Sequence, residues 1–295
     1  MAPRDTDDRL NLSAGIASVS VALVLIAAKL WALFQTGALS VAATLADSAL
    51  DLVMSLGALA AIAYAARPAD DDHAFGHSAA EDLAALGQCL FILISAAMIA
   101  GAAAQRLALP APAAIGAETT GIAVMGLSIA LTLALVGWQR HVARSTGNRV
   151  VAADSLHYLG DLVPAIGAIG ALWASRRFDF AWIDPAVAIG AALLMAQGAL
   201  RIGRDAWDAL MDRAVDAETV AGIEAIARGF PGVHGHHDLR TRRSGGRVFI
   251  NLHIELDGSQ SLTQAHDIGA ALKRAILERY PRADVIIHKD PVRPQ

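Results

Sequence analysis

The sequence is short of charge, of aromatic side chains and of cysteine. Charged residues make up 18% of the 295 residues, aromatic residues make up 5%, and the formal net charge at pH 7 is −4. The one cysteine, Cys89, excludes a disulfide framework and a cysteine-based zinc finger within one chain. Because the net charge is small and no basic cluster is present, we expect no nucleic-acid partner. So little charge is also atypical of a disordered or a soluble globular chain.

Hydrophobic residues make up 55% of the chain and collect in six long runs. The runs cover residues 12–34, 38–65, 83–105, 120–139, 151–174 and 182–200. Each is close to or above the about 20 residues that a helix needs to cross a hydrocarbon core of roughly 30 Å. The first run is too long for the core of a signal peptide, so we expect it to be retained. The sequence therefore predicts an all-α membrane domain of six transmembrane helices in a lipid bilayer.

The orientation of these helices follows from the lysine and arginine residues near the ends of the runs. One side collects Arg4, Arg9, Arg67, Arg140, Arg144, Arg149, Arg201 and Arg204, whereas the other side has Arg106, Arg176 and Arg177. The more positive side is expected to face the cytoplasm, together with both termini. After about residue 205 charges and histidines become frequent and no long apolar run remains. We therefore expect a six-helix transmembrane domain at residues 1–204 and a cytoplasmic domain at 205–295.

Two carboxylates lie well inside the second apolar run. Asp47 and Asp51 are spaced i, i+4 in "ADSALDLVMS" and so share one face of a helix. A carboxylate at membrane depth costs on the order of 3 kcal/mol on insertion scales, and it persists only beside a partner or a wet cavity. The alternative is a helix that begins at Asp47, but the preceding "VAATLA" is as apolar as the rest. The pair therefore indicates a functional site.

The fifth run repeats the spacing with His157 and Asp161 in "DSLHYLGD". Alone, this pair is equally well explained by a local hydrogen bond in which the carboxylate orients the imidazole. With Asp47 and Asp51, however, three carboxylates and one imidazole between two helices form a four-ligand set suited to a tetrahedral divalent ion such as Zn²⁺. The set lacks a thiolate, which argues against Cu(I). We interpret Asp154 and Ser155, earlier in the stretch, as residues that cap the start of the helix.

The loop after the second run, "RPADDDHAFGHSAAEDLAALG", contains a second candidate ligand set. Asp70, His73 and His77 are spaced so that a turn or short helix can gather them around one ion. A run of charged residues in a loop is more often simply solvated. On the loop sequence alone, the solvated loop is the more common outcome and a metal site the less common one.

The C-terminal residues alternate between helix and strand patterns. Apolar positions have helical spacing in 217–229 and again in 262–280. Between them, "HHDLRTRRSGGRVFINLHIELD" alternates around a Gly245–Gly246 turn, which is the mark of a β-hairpin. The segment "ADVIIHKD" predicts a short final strand. The αββαβ order predicts a small, metallochaperone-like α+β domain, with two helices on one face of a three-stranded sheet.

Histidines are concentrated in this C-terminal domain. Six of the ten follow residue 233: His234, His236, His237, His253, His266 and His288. His253 is in the second strand and alternates with Ile250, Leu252 and Ile254, so it is expected to face away from the core. Scattered surface histidines are the alternative, but their density favours a metal site. A cluster of imidazoles bridged by Asp290 would suit one or two zinc ions.

These motifs together resemble the cation diffusion facilitators, and most closely the bacterial zinc/iron efflux antiporters of that family. The similarity covers essentially the whole chain and is most specific in four segments. These are "ADSALDLVMS", "DDDHAFGHSAAEDLAAL", "DSLHYLGD" and "HHDLRTRRSG…HIEL…QAH…VIIHKDP". The resemblance implies a homodimer in the bacterial inner membrane that exchanges cytoplasmic metal for external protons.

The resemblance also implies three groups of metal ligands. The transport site is implied at Asp47, Asp51, His157 and Asp161, the loop site at Asp70, His73 and His77, and a two-ion site under the dimer at His237, His253, His266, His288 and Asp290. The chain departs from close relatives at Ala79, where they usually carry a basic residue in "GHGKAE". The salt bridge that this residue makes across the dimer is therefore not expected here. His234 and His236 are extra candidates for the cytoplasmic site.

The expected function is proton-coupled export of divalent cations, with Zn²⁺ first and Cd²⁺ or Fe²⁺ as further substrates. Zn²⁺ is expected both as cargo and as a regulator in the cytoplasmic domain, with protons as the counter-ion. A passive divalent-metal channel is the alternative. A membrane metalloenzyme is a weaker one, because the four-ligand set leaves no open position for water and no "HExxH" motif is present. We therefore expect no enzymatic activity.

Overall fold

The computed structural model describes residues 3–36, 39–108, 119–162 and 183–292. The chain forms two compact units, of which the first is Asp7–Ala206 and the second contains residues 207–292. The helices of the first unit are α1 (Pro3–Thr36), α2 (Leu39–Ala65), α3 (Ala79–Ala108), α4 (Thr119–Thr146), α5 (described over residues 149–162) and α6 (Ile183–Leu210). This unit is helical, as predicted.

Three described segments are long and apolar enough to cross a membrane by length and composition: Thr6–Gln35, Ser48–Ala65 and Ala79–Gln105. They correspond to the first three predicted transmembrane helices. The fourth to sixth remain predictions, although α4 and α6 have 28 residues each, more than the about 20 that a span requires. Residues 163–174 of the fifth predicted span lie outside the described residues.

The helical unit is packed through small residues and exposes large apolar ones. Ala14, Ala58 and Ala85 are buried in one of its core clusters, whereas Trp31 and Phe34 are exposed. Small side chains let helices approach closely where lipid already solvates the apolar residues. A Cβ atom added at Gly15 in α1 would lie 2.9 Å from Leu59 Cδ1 in α2. α1 and α2 are therefore in close contact, which fixes the helix that carries Asp51.

The beginning of α5 differs from the expectation. Asn148 is the residue that caps the helix, since its Oδ1 accepts from the backbone N–H of Val151 at 3.0 Å. Asp154 lies more than one turn inside the helix and is 2% exposed. Its carboxylate accepts hydrogen bonds from Ser18 and Gln139 on other helices. Ser155 also lies inside the helix and is buried, so the interpretation of Asp154 and Ser155 as capping residues is wrong.

The second unit has the predicted αββαβ order. Its elements are α7 (Ala217–Arg228), β1 (Gly235–Ser244), β2 (Arg247–Leu256), α8 (Leu262–Arg279) and β3 (Ala283–Pro291). The sheet order is β1-β2-β3, with β1 and β2 antiparallel and β2 and β3 parallel. Gly245 takes φ +54 in the predicted two-residue turn, a conformation that glycine adopts without steric cost.

The core of this unit lies on one face of the sheet. Ile250, Leu252 and Ile254 of β2 are buried against apolar residues from both α7 and α8. Because side chains alternate along a strand, His253 lies on the other face. Its direct neighbours across the sheet are His237 of β1 and His288 of β3. Burial of alternate positions therefore lines up three imidazoles on the face without helices.

Candidate metal sites

The first candidate site lies between α2 and α5. His157 Nε2 is 3.1 Å from Asp51 Oδ1, and both side chains are largely buried. Together with Asp161, they offer one ligand atom each, and the three atoms lie within 4.8 Å of one another. Asp47 lies in α2, one turn before Asp51, but its side chain is outside the described residues. The structure thus brings together three of the four residues that were predicted for this site.

The spacing of these atoms is close to what one metal ion requires. Ligand atoms bound to one tetrahedral Zn²⁺ at about 2.1 Å lie about 3.4 Å apart. The distance of 3.1 Å between Asp51 Oδ1 and His157 Nε2 is close to this value, and the ligand atoms of all three residues lie within 4.8 Å of one another. The ring of Phe91 contacts His157 edge-on, with centroids 5.8 Å apart. This contact orients the imidazole. The spacing of the three ligand atoms and the oriented ring together fit a bound divalent ion.

The loop between α2 and α3 gathers its three predicted ligands. Asp70 Oδ1 is 3.2 Å from His73 Nδ1, and Asp70 Oδ2 is 3.3 Å from His77 Nε2. The two imidazole rings are 4.5 Å apart, and Tyr64 packs edge-on against His77 at 4.7 Å. His77 is 5% exposed, and its Nδ1 has no hydrogen-bond partner within the described part of the chain. These three residues form a compact group rather than a dispersed solvated loop.

Local backbone geometry holds this group together. The backbone N–H of His73 donates to Asp70 Oδ1 at 2.7 Å. This bond, with the imidazoles nearby, lowers the pKa of Asp70 below its ordinary value, so the carboxylate is charged at neutral pH. Gly76 precedes His77 with φ +83, and its N–H donates to the carbonyl of His73 at 2.8 Å. A turn, and not a helix, therefore brings the ligands together.

The third group lies on the face of the sheet without helices. Ring centroids are 5.1 Å apart for His237 and His253, and 4.5 Å apart for His253 and His288. The Asp290 carboxylate contacts all three, at 2.9 Å from His253 Nδ1, 3.4 Å from His237 Nε2 and 3.2 Å from His288 Nε2. The hydrogen bond from His253, followed by the charges of the imidazoles, lowers the pKa of Asp290. Asp290 is therefore the central acceptor of the group.

Two features of this site differ from the sequence-based expectation. A β-bulge between His237 and Arg240 gives Asp238 a φ of +48. The bulge brings the Asp238 carboxylate close to two histidines, so that ligand atoms of Asp238, His237 and His253 lie within 4.8 Å of one another. His266 is on α8, the helix that packs on the opposite face, and it belongs to none of the ligand groups among the described residues. One chain therefore does not bring His266 to the other four predicted ligands.

The extra histidines also lie apart from the group. His236 pairs with Ile254 in the sheet, which places it on the face opposite His237. The backbone N–H of His234 donates to the carbonyl of Glu255 at 2.9 Å. Neither residue belongs to a ligand group in the described part of the chain.

An apolar helical unit with a buried histidine–carboxylate site, joined to an αββαβ domain, defines an integral membrane cation transporter. The chain belongs to the cation efflux family. Residues 15–211 match its "Cation efflux transmembrane domain", and residues 215–292 match the "Cation efflux protein, cytoplasmic domain". This match confirms the predicted family and the membrane location, and it makes the protein a transporter, not an enzyme.

Similar proteins extend over nearly the whole chain. The "Cation-efflux pump FieF" of Klebsiella pneumoniae subsp. pneumoniae is 40% identical over 288 residues, which cover 96% of this chain and 93% of that protein. The protein of the same name from Cronobacter sakazakii is 41% identical over 283 residues, again covering 96% and 93%. A solved structure, "Metal-bound C-terminal domain of CzcD transporter from Thermotoga maritima", is 36% identical and covers 25% of this chain and 87% of its own, with a TM-score of 0.24.

Proposed function

We propose that this transporter exports divalent cations, Zn²⁺ above all, in exchange for protons. The observation that carries the proposal is the contact of His157 Nε2 with Asp51 Oδ1, 3.1 Å apart and largely buried between two helices. Asp161 completes the described group, and Asp47 is the proposed fourth ligand. Buried ionisable side chains in a membrane domain are costly unless they serve a bound ion or a proton path.

The donor set favours particular metals. Three carboxylates and one imidazole offer oxygen and nitrogen donors in the number that tetrahedral Zn²⁺ takes. Mn²⁺ prefers sites made only of oxygen, whereas imidazole suits Zn²⁺ and other late transition metals. Cd²⁺ and Fe²⁺ are proposed as further substrates. Because His157 supplies the one imidazole of the proposed set, we assign the metal preference to His157.

The same residues provide the exchange with protons. Metal binds only deprotonated ligands, so each bound ion displaces protons and each returning proton weakens the site. Free imidazole titrates near pH 6.5, within the range between cytoplasm and a more acidic exterior. We propose that the ion enters from the cytoplasm, binds as His157 loses its proton, and leaves when external protons displace it. Alternating access of one central site is sufficient for this cycle.

We propose that residues 205–295 act as the regulatory and dimerisation domain of this transporter. The family match of residues 215–292 supports pairing between such domains. We assign the proposed regulatory Zn²⁺ to the histidines around Asp290 and, in the loop, to the group around Asp70. If metal there stabilises a dimer that transports faster, linkage requires that the dimer also binds the metal more tightly. We further propose that the transporter is a homodimer in the inner membrane of a bacterial cell, with both termini in the cytoplasm.

Removal of one transport ligand tests the proposal. Asp51→Asn retains the side-chain size but removes the charge that faces His157. Loss of partners that only support a ligand costs about 10–100-fold in metal affinity, so we expect Zn²⁺ uptake into proteoliposomes at low metal to fall at least 100-fold. Asp205→Asn, at an exposed position on α6, is the matched control and should transport normally. Transport by Asp51→Asn at the rate of the unchanged protein would contradict the assignment.

A further inference from the structure

Five buried polar side chains from four helices meet in the interior of the helical unit. They are Ser18 of α1, Ser55 of α2, Gln139 of α4, and Asp154 and Tyr158 of α5, and each is at most 2% exposed. None of them belongs to the metal-ligand groups among the described residues. Burying polar groups costs free energy unless they are hydrogen-bonded. Five of them together in an apolar helix bundle therefore indicate a structural or functional role.

The hydrogen bonds of this network run in one direction. Each hydroxyl carries one proton to donate, and Ser18 Oγ donates to Asp154 Oδ2 at 2.7 Å. Because that proton is used, Ser55, whose Oγ is 2.8 Å away, must donate to Ser18. The proton of Ser55 is then used as well, so Tyr158, whose Oη is 2.9 Å from Ser55 Oγ, donates to Ser55. The order of donation is therefore Tyr158, Ser55, Ser18, Asp154.

Asp154 is the acceptor at the end of this chain. Its Oδ2 also accepts from Gln139 Nε2 at 2.6 Å, which adds α4 to the network. Hydrogen bonds to a carboxylate are stronger than those between neutral groups, and bonds in a chain polarise one another. The loss of any hydroxyl therefore affects the whole chain and not a single pair.

The network lies within about one helical turn of the Asp51–His157 contact on both α2 and α5. Ser55 follows Asp51 by four residues, which places the two side chains on one face of α2. On α5, Asp154 precedes His157 by three residues, and Tyr158 directly follows it. The bond between Ser55 and Tyr158 thus joins the two helices that supply the metal ligands, within one turn of those ligands.

We propose that Tyr158, Ser55, Ser18 and Asp154 are positioning residues of the transport site. Their hydrogen-bond chain fixes α2 against α5 and so keeps Asp51 at ligand distance from His157. This inference rests on the proposed function, since it assigns the network to the geometry of that site. Each member acts through the helix that carries a ligand, and none of them binds the cargo.

A small displacement of Asp51 relative to His157 should weaken metal binding more than it slows the conformational steps that follow binding. Tyr158→Phe keeps the ring and removes only the hydroxyl. For this variant we expect the KM for Zn²⁺ in proteoliposomes to rise about 5- to 10-fold, the loss of roughly one hydrogen bond, with kcat changed by less than about twofold. Ser13→Ala is the matched control, because Ser13 Oγ donates to the carbonyl of Leu10 in its own helix and is not part of the network. Its KM should not change.

Two further variants separate positioning from other roles. Asp154→Asn keeps one oxygen that can accept from both Ser18 and Gln139, so its KM should stay close to that of the unchanged protein. Asp154→Leu should raise KM about as much as Tyr158→Phe. If Asp154→Asn abolished the dependence of transport on pH, the carboxylate would carry protons itself and the positioning role would be wrong.

A double-mutant cycle provides the sharpest test. Ser55→Ala and Tyr158→Phe remove two ends of one bond, so their effects on KM should be clearly smaller together than the sum predicts. Additive effects, or Tyr158→Phe with an unchanged KM, would overturn the inference. All variants are compared with Zn²⁺ transport by the unchanged protein in the same vesicles. Absence of transport there would contradict the proposed function instead.

Discussion

His157→Asp tests the metal preference that we assign to His157. It would convert the proposed donor set of one nitrogen and three oxygens into a set of oxygens only, while the position one turn before Asp161 would keep a side chain that can bind metal. Imidazole favours Zn²⁺ over harder ions, and carboxylate suits Mn²⁺. The variant should therefore lose preference for Zn²⁺ and retain transport.

The size of the effect follows from the geometry of the site. His157 Nε2 lies 3.1 Å from Asp51 Oδ1, within the distance that two ligands on one ion require. The exchange would remove one of the four donors proposed for Zn²⁺, and the loss of a group that merely supports a ligand already costs about 10–100-fold in metal affinity. We expect kcat/KM for Zn²⁺ to fall at least about tenfold, which corresponds to about 1.4 kcal/mol, with little loss for Mn²⁺.

The assay is metal competition in proteoliposomes at a fixed pH gradient, with the ratio of kcat/KM for Zn²⁺ and Mn²⁺ as readout. His141→Asp is the control, because His141 is exposed on α4 and stacks on Trp138. It should leave the ratio unchanged. The reasoning would be refuted if His157→Asp retained the ratio of the unchanged protein while Asp51→Asn abolished transport.

Three further predictions concern the cytoplasmic side and the loop. Because the hydrogen bond from His253 and the charges of the imidazoles lower the pKa of Asp290 below that of an ordinary aspartate, its carboxylate stays charged as the pH falls and its contribution is lost only in strong acid. The charged carboxylate is thus available to the metal throughout, so Asp290→Asn should bind metal more weakly and release it from the full-length protein at a higher pH on acidification. Asp82→Asn breaks the buried ion pair with Arg149 and should cost about 3–5 kcal/mol in detergent unfolding. Gly76→Ala, at φ +83, should weaken metal binding by the loop in equilibrium titrations.

Each of these three predictions has a distinct contrary result. Release of metal by Asp290→Asn at the same pH as by the unchanged protein would mean that Asp290 does not contribute to the bound ion. Unfolding of Asp82→Asn at the free energy of the unchanged protein would mean that water replaces the lost charge pair. Unchanged loop binding in Gly76→Ala would mean that the turn adapts to a side chain at that position.

The sequence predicted those parts of the structure that depend on local periodicity. The i, i+4 spacing of His157 and Asp161 gave a shared helix face, and the alternation around Gly245 gave a hairpin with His253 on the open face of the sheet. In both places the side-chain direction follows from the period of the element alone. The αββαβ order could be predicted for the same reason.

The features that sequence reasoning missed depend on residues far apart in the chain. Asp154 resembled a cap because it stands near an apolar run, yet its partner Ser18 is 136 positions away. Asp238 enters its ligand group through a β-bulge, which no spacing in the strand indicates. Tertiary packing, and not local pattern, decides both positions. The role of His266 stays a prediction, because it was expected in a site under the dimer, and within the described residues of one chain it belongs to no ligand group.

In the proposed transport cycle, a metal ion and protons compete for one site between α2 and α5. The most direct test is Zn²⁺ uptake by the unchanged protein in proteoliposomes with an acidic interior, before and after a proton ionophore collapses the gradient. We expect Zn²⁺ to accumulate against its own gradient, and we expect this accumulation to stop when the pH gradient is removed. Uptake that proceeds at the same rate without the gradient, and ends when Zn²⁺ concentrations are equal, would contradict it and indicate a passive channel.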